Sequence, residues 1–112
     1  MKRYCQTLEI LDDPEFIRKY VEVHSRVWPE VKAGQREVGI IDMQIYHRGT
    51  HVFMICDTVD DFDWERDMAR LANLPRQAEW EAYVAKFQGC DPNAPSTSKW
   101  HLMERIFKLD IK

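Results

Sequence analysis

Ile40-Ile41-Asp42-Met43-Gln44-Ile45-Tyr46-His47, then Arg48-Gly49-Thr50, then His51-Val52-Phe53-Met54-Ile55-Cys56-Asp57-Thr58 reads as two strands joined by a tight turn. Met43 and Ile45 alternate with Asp42, Gln44 and Tyr46, and Val52, Met54 and Cys56 alternate with Phe53 and Ile55, the period of two that a pleated strand requires. Upstream of this hairpin lies a helical pattern. Asp13 can cap it, Pro14 suits its first position, and Glu15 favours its positive end. Phe16, Ile17, Tyr20, Val21, His24, Val27 and Trp28 follow at helical spacing until Pro29, which must kink or restart the helix. The restarted stretch should end near Gly39. Before the helix, Arg3 to Leu11 alternates as a first strand.

Downstream, the acidic stretch Asp57 to Asp63 leads into a helix with Trp64, Met68, Leu71 and Ala72 on one side. Leu74-Pro75 interrupts it, and a further helix gathers Trp80, Tyr83, Val84 and Phe87. Gly89 to Ser98 is rich in turn formers, and a last strand is expected from Lys99 to Leu109. The order is therefore β-α-β-β-α-β, the α+β ferredoxin-like or split-βαβ arrangement, with an antiparallel sheet and helices on one face. Both sheet faces read as apolar, and the helices can cover only one. A homodimer closing sheet on sheet into a dimeric α+β barrel is the expectation, with a ligand pocket in each subunit.

The 112 residues predict a single domain spanning 1–112. Sixteen Lys and Arg against nineteen Asp and Glu leave a net charge of −3, which argues against a nucleic-acid partner. No apolar run is long enough to span a membrane, and the polar opening residues do not resemble a signal peptide, so a cytoplasmic protein is expected. Three scattered cysteines, Cys5, Cys56 and Cys90, support neither a disulfide framework nor a zinc site. The aromatic content of 12% is high for a chain this small, and some of these rings should line a pocket or interface.

Tyr20 and His24 stand four apart on one helix face. An imidazole there either satisfies a core hydrogen bond or acts as an acid–base group near neutral pH. His24 to Glu30 concentrates a titrating group, an aromatic plate in Trp28 and a carboxylate where Pro29 bends the chain; the blander reading is a capped kink. Trp80 beside Glu81 is a sugar-binding combination, ring against C–H face and carboxylate against hydroxyls, although spacing alone also fits a core Trp and a solvated Glu. Asp42 and Tyr46 share one side of their strand and can supply polar contacts to a cavity. No metal-ligand spacing, phosphate loop or nucleophile elbow is present, which leaves proton transfer on a small polar molecule without metal or cofactor.

Met1-Lys2-Arg3-Tyr4-Cys5, Tyr20-x-x-x-His24-x-x-x-Trp28-Pro29-Glu30, Gly39-Ile40-x-Asp42-Met43-x-Ile45-Tyr46, Glu79-Trp80-Glu81 and Lys99-Trp100-x-x-Met103-Glu104-x-Ile106-Phe107 together resemble the L-rhamnose mutarotase family, nearest its L-fucose mutarotase branch. The resemblance implies a ferredoxin-like homodimer that interconverts α and β anomers of a 6-deoxy-L-sugar, a monosaccharide substrate needing no cofactor. It implies that His24 is the proton donor and that Tyr20, Trp80 and Glu81 contact the sugar. Met43 stands where the rhamnose type has a substrate-binding tyrosine, and Glu81 where it has a second tryptophan. The carboxylate at 81 points to L-fucose, whose axial hydroxyl is at C4, over L-rhamnose, whose axial hydroxyl is at C2. Two other readings stay open: a dimeric α+β barrel oxygenase, and a non-catalytic small-molecule-binding protein.

Overall fold

The computed structural model describes residues 1–89 and 99–110. Its elements are β1 (Lys2–Glu9), α1 (Pro14–His24), α2 (Pro29–Glu37), β2 (Ile40–Arg48), β3 (His51–Thr58), α3 (Trp64–Ala72), α4 (Gln77–Gln88) and β4 (His101–Leu102). The strands form one antiparallel sheet in the order β2-β3-β1-β4, the ferredoxin-like topology read from the sequence. Among the described residues the first crossover carries α1 and α2, and the second carries α3 and α4.

Local chemistry accounts for the element ends. The Asp13 carboxylate accepts from the backbone N–H groups of Glu15 and Phe16, and Pro14 occupies the first turn. Asp63 caps α3 the same way, accepting from Arg66 N–H. Gly39, at φ 105°, turns α2 into β2, and a Cβ there would sit 2.8 Å from Val59 Cγ2, so only glycine fits. At Gly49-Thr50 the hairpin register stays unbroken from Arg48↔His51 to Asp42↔Asp57, after which a bulge at Ile41 shifts it.

One sheet face lies under the helices and carries Leu8, Val52, Met54 and Cys56, with Met43 and Ile45 partly buried beside them. Phe87 of α4 meets Phe16 of α1 edge-on at 6.1 Å, and Phe62 and Leu71 close the α3 side. A smaller cluster of Val31, Trp80 and Val84 joins α2 to α4, with Trp28 and Tyr83 packed against it.

Four expectations need correction. The first strand stops at Glu9, with Ile10 and Leu11 beyond it. α1 ends at His24, five residues before Pro29, because Ser25 N–H turns back to the Glu22 carbonyl and Arg26 N–H to the Val23 carbonyl; Val27 and Trp28 are therefore not helical. Val21 is exposed and Val23 half-buried, since Val21 lies roughly 100° around the axis from the buried Tyr20. The last strand is a two-residue edge ladder at His101–Leu102, extended by Met103 N–H to Cys5 C=O. Residues 103–110 run on without a ladder in this chain, and Ile106, Phe107 and Leu109 are 94%, 73% and 90% exposed. Of the expected loop Gly89 to Ser98, residues 90–98 lie outside the described part, while Gly89 ends α4 at φ 74°.

Candidate functional site

Between the covered sheet face and the helices lies a cavity of about 410 Å³, inside the roughly 300–1,000 Å³ range of small-ligand sites. Tyr20 and His24 line it from α1, Asp42 and Met43 from β2, and Trp80 and Glu81 from α4. The sheet supplies a rigid apolar floor that includes Met54 and Cys56. Burial pushes the Cys56 thiol up to about 12, so it stays protonated and serves as wall, not nucleophile.

His24 is held from two sides. Its Nδ1 lies 2.7 Å from the Tyr20 carbonyl oxygen one turn earlier. A carbonyl only accepts, so Nδ1 carries the hydrogen and donates, which leaves Nε2 as the nitrogen that changes protonation state. The Tyr20 ring lies 4.4 Å from the imidazole, and the Trp80 indole meets it edge-on at 5.7 Å. Burial lowers the His24 pKa from its ordinary 6.5, partly offset by the bond to the Tyr20 carbonyl. The resting form at neutral pH is thus a neutral imidazole with a basic Nε2.

The other sequence candidates divide. Asp42 is exposed and lines the cavity mouth, brought there beside Ile41 by the bulge. Tyr46, on the same strand, lies on the opposite sheet face, 56% exposed, and its hydroxyl donates to Gln44 at 2.8 Å. Trp28 is outside the lining as well. It stacks on Tyr83 at 5.8 Å, meets Trp80 edge-on at 5.2 Å and carries the Arg76 guanidinium 4.1 Å above its ring. Its contact with the cavity runs through Trp80, whose indole it braces.

Several polar lining residues were missed in the sequence. Gln6, Gln77, Gln88 and Lys99 are all buried around the cavity. Lys99 donates from Nζ to the Glu81 carbonyl at 3.1 Å, anchoring the start of the last segment to α4. One signal was available: at 100° per residue Gln77, Glu81 and Gln88 fall within about 40° of one another, a polar strip along α4. Among the described residues, no cluster of three or more His, Cys, Asp or Glu could hold a metal ion.

Comparison with known proteins bears on this cavity directly. The family profile described as L-rhamnose mutarotase matches residues 3–109. The chain belongs to the L-rhamnose mutarotase family. It is 36% identical to an L-fucose mutarotase of Xanthomonas campestris pv. campestris over 97% of this chain and 89% of that one. It is 29% identical to an L-rhamnose mutarotase of Phocaeicola vulgatus over 98% of this chain and all of the other. The crystal structure of an L-rhamnose mutarotase from Formosa agariphila superposes with a TM-score of 0.74 at 18% identity, covering 98% of this chain and 100% of that one, and confirms the fold. The mutarotase family match spans both walls of the cavity, from β1 through the segment that carries Lys99 and Trp100. Among the described residues no helix is long and apolar enough to cross a membrane.

Proposed function

We propose that this chain, acting as one mutarotase domain, interconverts the α and β anomers of a 6-deoxy-L-sugar and prefers L-fucose to L-rhamnose. The observation that carries this reading is His24, its Nδ1 fixed by the Tyr20 carbonyl and its imidazole lining a cavity walled by Tyr20, Trp80 and Glu81. The identity with an L-fucose mutarotase supports the sugar class.

The reaction breaks and remakes one C–O bond. A proton leaves the anomeric hydroxyl, another reaches the ring oxygen, the aldehyde turns about C1–C2, and the ring recloses on its other face. No electrons or groups are transferred, so the chemistry requires no cofactor. Because the resting His24 is neutral, Nε2 first accepts the anomeric proton, and the imidazolium returns it during reclosure; donation is the second half of its cycle. Tyr20, whose ring lies against the imidazole and lines the same cavity, donates its O–H proton to the ring oxygen as the ring opens and takes one back from that hydroxyl as the ring recloses. Trp80 offers an apolar face to the sugar C–H groups, and Glu81 accepts from the axial hydroxyl. Asp42 serves at the cavity mouth.

The active form we propose is a homodimer. Cys5, Thr7, Phe53 and Ile55 stay half-exposed on the uncovered sheet face, with Tyr46 at its edge.

NMR exchange between anomer signals of L-fucose, L-rhamnose and D-galactose tests the reading. Acceleration is expected to be greatest for L-fucose, and Glu81→Trp should shift the fucose-to-rhamnose ratio toward rhamnose. Saturable sugar binding with no faster exchange would favour the non-catalytic binder, and an unchanged ratio in Glu81→Trp would reject the specificity assignment.

A further inference from the structure

We propose that Gln77 is a further substrate-contact residue, its side-chain amide hydrogen-bonded to a ring hydroxyl of the sugar. This inference rests on the mutarotase reading and extends it to a residue that neither the motif pattern nor the Trp80-Glu81 pair includes. Gln77 opens α4, is only 5% exposed and lines the cavity. Its carbonyl oxygen Oε1 is buried and has no hydrogen-bond partner among the described residues. Buried amide oxygens are nearly always paired, because burial without a partner forfeits the bond that water would have made. A leucine or methionine would fill the same volume at no such cost, so the position holds a group whose partner arrives from outside the fold.

The chemistry of that partner follows from the amide and its neighbours. An amide is neutral and does not titrate, so Gln77 cannot be the acid or base; its role is orientation. It both donates and accepts, as a hydroxyl does, and a sugar hydroxyl therefore satisfies it whichever amide atom it meets. Trp80 and Glu81 follow one turn later on the helix, so Gln77 extends their surface toward the start of α4. A pyranose resting on Trp80 would bring hydroxyls at two separate points of its rim to Gln77 and Glu81. Two fixed points on the rim, with His24 beyond the indole edge, define which carbon faces the imidazole.

Gln77→Met removes the amide and keeps the side-chain length. The expected result is a KM for L-fucose raised roughly 3- to 10-fold, the loss of one neutral hydrogen bond, with Tm equal to or above wild type. Deoxy analogues of the sugar locate the bond. One of them should lower wild-type kcat/KM by a similar factor and leave Gln77→Met unaffected, a coupling that a purely structural glutamine would not produce. Should Gln77→Met fail to fold, Gln77→Asn withdraws the amide by one methylene and is read in the same way. An unchanged KM with a lowered Tm, or equal penalties in both proteins for every analogue, overturns the inference while leaving the mutarotase reading intact. If the wild-type protein accelerates exchange of none of the sugars, the reading itself fails and the inference with it.

Discussion

His24 concentrates the chemistry of this chain in one ring, and its environment sets a definite pH behaviour. Desolvation favours the neutral imidazole, while the Tyr20 carbonyl partly restores the charged form, for a net downward shift from 6.5. With neutral Nε2 as the initial base, kcat/KM should rise as pH increases through a midpoint below 6.5 and level off near neutrality. The same shift fixes the sign of its stability linkage. The unfolded chain binds the proton more readily than the fold does, so this contribution is fully present above 6.5 and is lost as pH falls through the folded value. Anomer exchange measured from pH 4.5 to 8 reads the first effect. His24→Ala should remain folded and lose on the order of 10²–10⁴-fold of the rate, with no pH-dependent limb left. A folded variant that keeps its rate would remove His24 from the mechanism.

At the scale of elements, the cavity depends on helices held at fixed angles, and α3 shows how. Asp67 is buried on this helix and accepts from Arg66 Nη2 at 2.8 Å, from Arg70 Nη1 at 2.8 Å and from the Asp63 backbone N–H at 2.8 Å. These partners hold its carboxyl far below the usual carboxylate range, Arg66 contributing most. The stabilisation is present above the ordinary 3.8 and disappears only as the pH falls well below it. Asp67→Asn leaves two guanidinium groups facing a neutral amide, and Tm should fall by roughly 5 °C or more at pH 7, with the gap to wild type closing toward pH 2. Thermal melts at both pH values check this. Asp67 was not legible in the sequence, since a run of Asp and Arg reads as a solvated helix face and only packing shows one member turned inward. By contrast, the alternation in Ile40 to Thr58, the Asp13-Pro14-Glu15 start and the i, i+4 pair Tyr20–His24 are local signals, and each was legible. Burial on the inner side of α4 was legible for Trp80 and Val84 because they are apolar. It was not for Gln77 and Gln88, whose burial contradicts their polarity and makes sense only around a cavity. Tyr46 shows the opposite limit: its strand parity was read correctly, but parity alone does not say which face the helices cover.

At the scale of the whole molecule, two apolar features are left uncovered by the helices among the described residues. One is the outer sheet face, where Cys5 pairs with Ile55, Thr7 with Phe53, and Phe53 in turn with Tyr46. The other is the segment after β4, in which Met103, Ile106, Phe107 and Leu109 are all exposed. β4 is an edge strand with a two-residue ladder, so the chain beyond Met103 leaves the sheet with its backbone groups unpaired to β1. A second copy placed sheet against sheet satisfies both at once, burying the outer face and giving each extended segment a surface to run across. Two-fold symmetry would place the segments on opposite sides of the same interface. Sedimentation equilibrium should therefore return twice the chain mass at micromolar concentration. Ile55→Asp, a charge at the centre of the face with no consequence for the covered side, should yield a monomer that keeps its helical circular-dichroism signal. Removing residues 103–112 should weaken the dimer without abolishing the antiparallel core, because β1 pairs along its whole length with β3. Wild-type protein sedimenting as a monomer throughout this range would show that the uncovered face is tolerated by a single chain, and would separate the anomer-exchange proposal from the assembly proposed for it.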